Sequence, residues 1–289
     1  MATQDADPTQ GDGMAPGGRP DDYRAGFACL VGRPNAGKST LTNALVGQKV
    51  AITSSKPQTT RHTIRGVATT PTAQVILVDT PGLHKPRTLL GQRLNDLVRE
   101  TLLEVDVIGF CLPADAVDRE RLAEHLMAID QLGEWDAIIP CSAVSGSQVE
   151  EVRDVLASFL PRSPQLYPDG VLTDEPEMIM IAELVREAAL EGVRDELPHS
   201  LAVVVEEMVP REGRPEDKPL LDVRVNVFVE RPSQKAIVIG RGGSRLREVG
   251  TNARKAIEAL LGQKIYLDLH VKVAKDWQRD PKQLQRLGF

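Results

Sequence analysis

The chain has 289 residues, 41% hydrophobic and 26% charged, with a formal net charge of −6, which is length enough for two cores of ordinary size. No apolar stretch approaches the ~18 residues needed to span a bilayer, and the first 22 residues have neither a basic start nor an apolar middle, so a membrane-spanning chain and a secretory signal are not expected. Cys29, Cys111 and Cys141 each lie in an apolar run, which predicts buried thiols in a reducing, cytoplasmic compartment rather than a disulfide frame, and five scattered His residues show no metal-ligand spacing.

Met1 to Asp22 is rich in Gly, Pro and Asp with almost nothing to bury, and reads as a disordered leader. The apolar run Phe27 to Val31 then predicts a strand. It enters Gly32-Arg33-Pro34-Asn35-Ala36-Gly37-Lys38-Ser39, a Gly-x-x-x-x-Gly-Lys-Ser loop that opens a helix over Thr40 to Val46. Backbone N–H groups of such a loop point at a nucleotide's phosphates, Lys38 reaches the terminal ones, and the Ser39 hydroxyl ligates Mg2+. Gln58-Thr59-Thr60-Arg61-His62 is a polar loop whose hydroxyls can close on Mg2+ with triphosphate bound; in isolation it is a plain Thr-rich loop. A second apolar strand, Val75 to Val78, delivers Asp79-Thr80-Pro81-Gly82. Asp-x-Pro-Gly alone is a common turn. Placed after a buried strand and a phosphate loop it predicts an Asp79 that holds Mg2+ through water and a Gly82 N–H that senses the γ-phosphate. Lys38, Asp79 and Gly82 are therefore the candidate catalytic groups, and Ser39 and Asp79 the candidate metal ligands.

Apolar runs at Val107 to Leu112 and Ile138-Ile139 alternate with helical stretches up to Leu160, predicting a mainly parallel sheet with helices on its faces. Pro161 to Pro176 has four prolines and is the expected linker between a first domain over 23–160 and a second over 177–289. In that second part Leu221, Val223, Val225, Val227 and Val229 alternate with Asp222 to Glu230, and Ile265, Leu267, Leu269, Val271 and Val273 alternate with Tyr266 to Lys272. Each run predicts a strand with one apolar face, and Leu201 to Val205 supplies a more buried third. Leu246, Val249, Ala253, Ala256, Ile257 and Leu260 recur at helical spacing and would cover that sheet. Before them stands Gly240-Arg241-Gly242-Gly243, a Gly-x-x-Gly turn of the kind with which a KH domain clamps about four nucleotides of single-stranded RNA. Arg241, Arg245 and Arg247 surround it, and the tail adds Lys275 and Trp277, the latter either a base-stacking aromatic or a packing anchor. From Arg231 to Phe289, 13 Lys or Arg face 5 Asp or Glu, a net of +8 that leaves −14 on the rest and points to an anionic polymer as partner.

GRPNAGKS, QTTRH and DTPGLHKP in that order, with the C-terminal half described, resemble the Era family of translation-associated GTPases over Gly26 to Phe289. The resemblance implies an α/β P-loop GTPase domain followed by an α+β KH type II domain, GTP/GDP and Mg2+ as ligands, and slow hydrolysis. It implies binding of the 3′ end of small-subunit ribosomal RNA in assembly of the 30S subunit, by a monomer in the cytoplasm with possible peripheral attachment to the membrane. It brings Thr80, Pro81 and Leu83 into the nucleotide site beside Asp79 and Gly82, and Ser142 and Ala143 on the base side. Leu83 stands where many small GTPases place the Gln that orients water, a task closed to an apolar side chain.

One departure stands out. The family's guanine-reading Asn-Lys-x-Asp motif occurs nowhere in the chain, and compared with the family a strand-plus-helix unit of ~30 residues is absent between Ala114 and Arg121. The sheet is then one strand short. Either Ile138 to Cys141 moves over to pair with Val107 to Leu112, or a slot is left with unpaired backbone; the first is the cheaper, since each unpaired buried group costs about 1 to 3 kcal/mol. The expectation is an Era-like GTPase with its phosphate and RNA sites intact and its guanine selectivity lost. The alternatives are an RNA-binding protein with a vestigial nucleotide fold, and an NTPase of relaxed base choice.

Overall fold

The computed structural model describes residues 19–54, 56, 59–83, 85–113, 119–191, 197–215 and 217–289. Of the expected leader only Arg19 to Asp22 lies among them, with Arg19 paired to Asp169; Gln58 and 114–118 lie outside.

The first unit runs β1 (Arg24–Val31), α1 (Lys38–Val46), β2 (Ile64–Thr69), β3 (Ala73–Asp79), α2 (Leu89–Glu104), β4 (Val107–Phe110), α3 (Arg119–Asp130) and α4 (Val149–Phe159). Its sheet has the order β2-β3-β1-β4, with β1 parallel to both β3 and β4, and β2 antiparallel to β3. β3 is buried at every position, because its continuous apolar run is covered by helices on both faces. The ends of β1 and β3 thus bring Gly32 and Asp79 side by side, Leu30 being the register partner of Asp79. α2 begins where the Thr88 side chain accepts from the Gly91 N–H at 3.1 Å, a cap for an otherwise orphaned donor.

Residues 161–176 form no helix or strand, yet they are strapped to the first sheet. Gln74 accepts from the Leu166 and Tyr167 N–H groups at 2.9 and 2.8 Å, and the Leu172 carbonyl accepts from Val67. The second unit follows as α5 (Glu177–Leu190), α6 (Leu197–Ser200), β5 (Ala202–Pro210), β6 (Leu221–Val229), α7 (Pro232–Ile239), α8 (Ser244–Leu261), β7 (Ile265–Val273) and α9 (Pro281–Arg286). The sheet order is β5-β6-β7, β6 running antiparallel to β5 and parallel to β7. Val223, Val225 and Val227 of β6 pack with Val249, Ala253 and Ile257 of α8, as the alternation predicts.

Three expectations are corrected. Ile138 to Cys141 forms no strand, and β4 is the terminal strand of its sheet; the segment's Ile139 reaches the same apolar cluster as Val107 and Cys111 without taking up a ladder. Side-chain burial there is satisfied without the backbone alignment that pairing requires. Cys141 is exposed, not buried, and Cys111 only half-buried. β6 presents two buried faces rather than one. Phe228 joins Leu90 and Leu94 of α2, Trp277 and Leu284 in a cluster that ties the two units together.

Candidate nucleotide and nucleic-acid sites

The phosphate loop has the backbone such a cradle requires. Gly37 has φ +85 and Asn35 φ +62, left-handed values that glycine and short polar residues accept. A Cβ at Gly32 would lie 2.5 Å from the Cys111 carbonyl oxygen, and one at Gly82 2.8 Å from the Pro34 backbone, so only glycine lets β4 and the Asp79 to Gly82 turn close on the loop. Pro34, Asn35, Gly37, Lys38, Ser39, Thr60 and Gly82 line one concavity together with Ile52, Thr53, Ser54 and Thr59. Lys38 Nζ donates to the Gly32 and Arg33 carbonyls at 3.4 and 3.2 Å. Burial lowers its pKa, against the opposing pull of Asp79.

At the head of this concavity Ser39 Oγ donates to Asp79 Oδ2 at 2.7 Å, Thr60 Oγ1 donates to the same oxygen at 3.1 Å, and the two hydroxyls lie 3.0 Å apart. The other carboxylate oxygen of Asp79, Oδ1, is buried without a hydrogen-bond partner. Burial pushes the Asp79 carboxyl up to about 6, and its bonds to Ser39, the charge of Lys38 and the bond to Thr60 only partly offset this. Two hydroxyls and a wholly buried carboxylate with a vacant lone pair form an all-oxygen set suited to Mg2+, so the residues present fit the ion. Thr59 does not share in it: its hydroxyl donates to the Lys56 carbonyl at 2.7 Å. Thr80 is wholly buried and donates to the Leu30 carbonyl, which fixes the turn. Leu83 is 41% exposed beside it. Ser142 and Ala143 do not line the concavity; Ser142 is held by its bridge to Ser147, and Ala143 packs on the core under α4.

The Gly-x-x-Gly turn lies between α7 and α8. Gly240, Gly242 and Gly243 all have positive φ (+73, +57, +77) and a Cβ on Gly242 or Gly243 would meet nothing within 4 Å, so that backbone is open to a ligand. Beside it a groove is lined by Gly243, Leu246, Arg247, Gly250, Thr251, Arg254, Tyr266, Leu267 and Leu269. Arg247, Thr251 and Arg254 recur at i, i+4, i+7 on α8, a spacing legible in the sequence that puts two guanidinium groups along one edge. Three of the expected RNA residues do not line this groove. Trp277 is fully buried, donates from Nε1 to the Ser200 carbonyl at 3.1 Å and stacks on Phe289; it is the packing anchor. Arg245 donates to the Ala189 and Glu191 carbonyls at 3.2 and 2.6 Å, where it satisfies the orphaned acceptors at the end of α5. Lys275 is exposed two residues beyond β7, away from the groove, which borders the first half of that strand.

The seam between the units is polar where it meets the Thr-rich loop. Arg61 is buried; it donates to the Leu201 and His199 carbonyls at 2.6 and 2.8 Å and lies over the rings of Trp277 and Phe289. Burial lowers its pKa to about 9, with Arg186 adding to the effect, and it stays charged at neutral pH. His62 stacks on Phe289 at 5.1 Å, and burial favours its neutral form. Nothing in the local sequence marks Arg61 for this role, because its partners lie about 140 residues away.

Comparison with known proteins identifies the family of each half of the chain. The family described as 50S ribosome-binding GTPase matches residues 27–140, and the family described as KH domain matches 196–278. GTPase Era of Streptomyces coelicolor is 64% identical, over 92% of this chain and 95% of its own, and GTPase Era of Mycobacterium avium is 60% identical over 93% and 99%. The Streptomyces alignment spans 302 positions, more than the 289 residues of this chain, so that relative carries residues with no counterpart here. Among solved structures, a variant of Aquifex aeolicus Era bound to GDP·AlF4− and an Era in complex with MgGDPNP and nucleotides 1506–1542 of 16S ribosomal RNA each superpose with a TM-score of 0.86 at 33% identity, covering 92% of this chain and 99% of theirs.

Proposed function

The chain belongs to the Era family of GTPases, and from that premise we propose that it binds GTP and GDP with Mg2+, hydrolyses GTP slowly, and carries small-subunit ribosomal RNA on its KH domain during 30S assembly. The reading divides the chain into a shortened GTPase domain over 23–160, a linker over 161–176 and a KH domain over 177–289, acting in the cytoplasm. No helix among the described residues is long and apolar enough to cross a membrane.

The observation that carries the nucleotide half is the orphaned, buried Oδ1 of Asp79 beside the Ser39 and Thr60 hydroxyls. Mg2+ bound there would neutralise charge on the β- and γ-phosphates. The chain's own part is to hold the anion on main-chain N–H groups of Gly32 to Ser39, to place Lys38 against the terminal phosphates, and to bring the Gly82 N–H within reach of the γ-phosphate. Water must be oriented by switch backbone groups, another side chain or a partner, since Leu83 cannot do so. Base selection differs: the chain has no Asn-Lys-x-Asp motif and Ser142-Ala143 do not line the concavity, so among the described residues no group is placed to distinguish guanine from other purines by hydrogen bonding. For the RNA half, Gly242→Asp places a carboxylate on the open turn. Binding of a single-stranded RNA with the 3′-end sequence of 16S ribosomal RNA, followed by fluorescence anisotropy, is expected to weaken about tenfold or more. Unchanged affinity in the folded variant removes the RNA assignment.

A further inference from the structure

Thr60 reaches the metal site from the long loop between α1 and β2, and that loop is gripped from outside its own domain. Glu187 of α5 accepts from the Thr53 N–H at 2.9 Å, and Arg186, its neighbour on the same helix, donates to the Thr59 carbonyl. Arg186 in turn is held by Glu183 through two bonds, Nε to Oε1 at 2.9 Å and Nη2 to Oε2 at 2.7 Å. Both side chains are almost wholly buried, at 2% and 4% exposure. Burial alone would raise the Glu183 carboxyl, but the charge and bonds of Arg186 bring it below the ordinary carboxylate range.

An i, i+3 ion pair on a helix needs no burial, and taking both charges out of water costs several kcal/mol per ion. What burial achieves here is a guanidinium with one orientation, clamped bidentately on one edge and aimed at the peptide that joins Thr59 to Thr60. That peptide immediately precedes the hydroxyl lying 3.0 Å from Ser39 Oγ and 3.1 Å from Asp79 Oδ2. We propose that Arg186, oriented by Glu183, is a positioning residue for the triphosphate state: from the KH side it holds the Thr59-Thr60 peptide so that Thr60 is presented to Mg2+. The inference rests on the nucleotide reading above. It makes a contribution of the second domain part of the first domain's site, and confines that contribution to the ligand that engages Thr60.

The test uses the full chain and two fluorescent nucleotides, mant-GMPPNP with Mg2+ and mant-GDP without it. Glu183→Gln/Arg186→Met removes both buried charges at similar volume, leaving no uncompensated ion. It is expected to weaken Mg2+·GMPPNP about tenfold, the scale of one charge-assisted hydrogen bond, to leave GDP within about twofold, and to speed amide exchange at Thr60 and Arg61. Arg186→Lys, which keeps the charge but lacks the planar Nε and Nη2 edge that grips Glu183 while Nη2 also reaches the Thr59 carbonyl, is expected to show the same selective loss in smaller measure, and decides the matter if the double variant does not fold. Equal weakening of both nucleotides, or no change in either, overturns the proposal. A wild-type protein that binds neither nucleotide is a different result, and sinks the nucleotide reading itself.

Discussion

Two strands of the first sheet, the inner β3 and the terminal β4, are held in different ways. On the β3 side every residue of the strand is buried, Asp79 and Thr80 are wholly inaccessible, and α5 of the second unit closes over the Thr-rich loop. On the β4 side no described residue from 102 to 148 is buried, and Ile108 and Phe110 are about half exposed, with Trp135 stacked on Phe110. The difference shows how separable two parts of nucleotide recognition are. An anion cradle needs one loop between β1 and α1 and the end of β3, all local and all present. A base pocket needs a wall raised on further strands, and among the described residues β4 is the last strand on that side.

The largest expected effect contrasts stability at these two strands. Ile76→Ala, in the buried middle of β3, should cost about 2 to 5 kcal/mol, whereas Phe110→Ala on β4 should cost less than about 1 kcal/mol, well below the usual figure for a buried aromatic. Urea unfolding followed by circular dichroism reads both, and comparable losses would erase the contrast. Lys38→Ala comes next. Removing a buried cation from the phosphate site should weaken Mg2+·GTP about a hundredfold while RNA binding to the KH groove persists; an unaltered nucleotide affinity would break the phosphate half of the account.

A smaller effect follows from Asp79. Its carboxyl titrates at about 6 in the folded chain, raised by burial, so without ligand its contribution to stability is fully present below the unfolded value near 4 and is lost as pH rises through 6. Mg2+ needs the carboxylate, so affinity runs the opposite way: Mg2+-dependent binding should fall by up to about tenfold per pH unit below 6. Isothermal titration at pH 5 and 7 checks this, and a pH-independent Mg2+ affinity would remove Asp79 from the metal site.

Much of this was legible in the sequence where the signal is local. The phosphate loop, the Asp79 to Gly82 turn, the alternating strands β6 and β7 and the stripe on α8 are each carried by neighbouring residues. What was not legible depends on distant partners. β2 has Gly66 and Arg65 in its middle and no apolar run; it is a strand because β3 pairs with it. Trp277 sits among cations in the sequence, which suggested a nucleic-acid contact, but Phe228, Leu284 and Leu287 enclose it. Arg186 reads as one more charge on an amphipathic helix until the fold brings Thr59 to it. Ile138 to Cys141 takes up no ladder because hydrogen-bond cost does not act alone: a segment tethered to α3 and α4 can bury one side chain against β4 without aligning its backbone.

The central claim is that main-chain amides around Gly32 to Ser39 recognise triphosphate while no described group reads the purine. Competition of GTP, ATP and XTP against a fluorescent nucleotide on the folded, full-length protein with Mg2+ tests this most directly. The account predicts three affinities within about tenfold of one another, since no base-specific hydrogen bond worth 1.4 kcal/mol or more distinguishes them. Tight binding of GTP with ATP and XTP weaker by a thousandfold would contradict it, and would require a guanine-reading group that the fold described here does not contain.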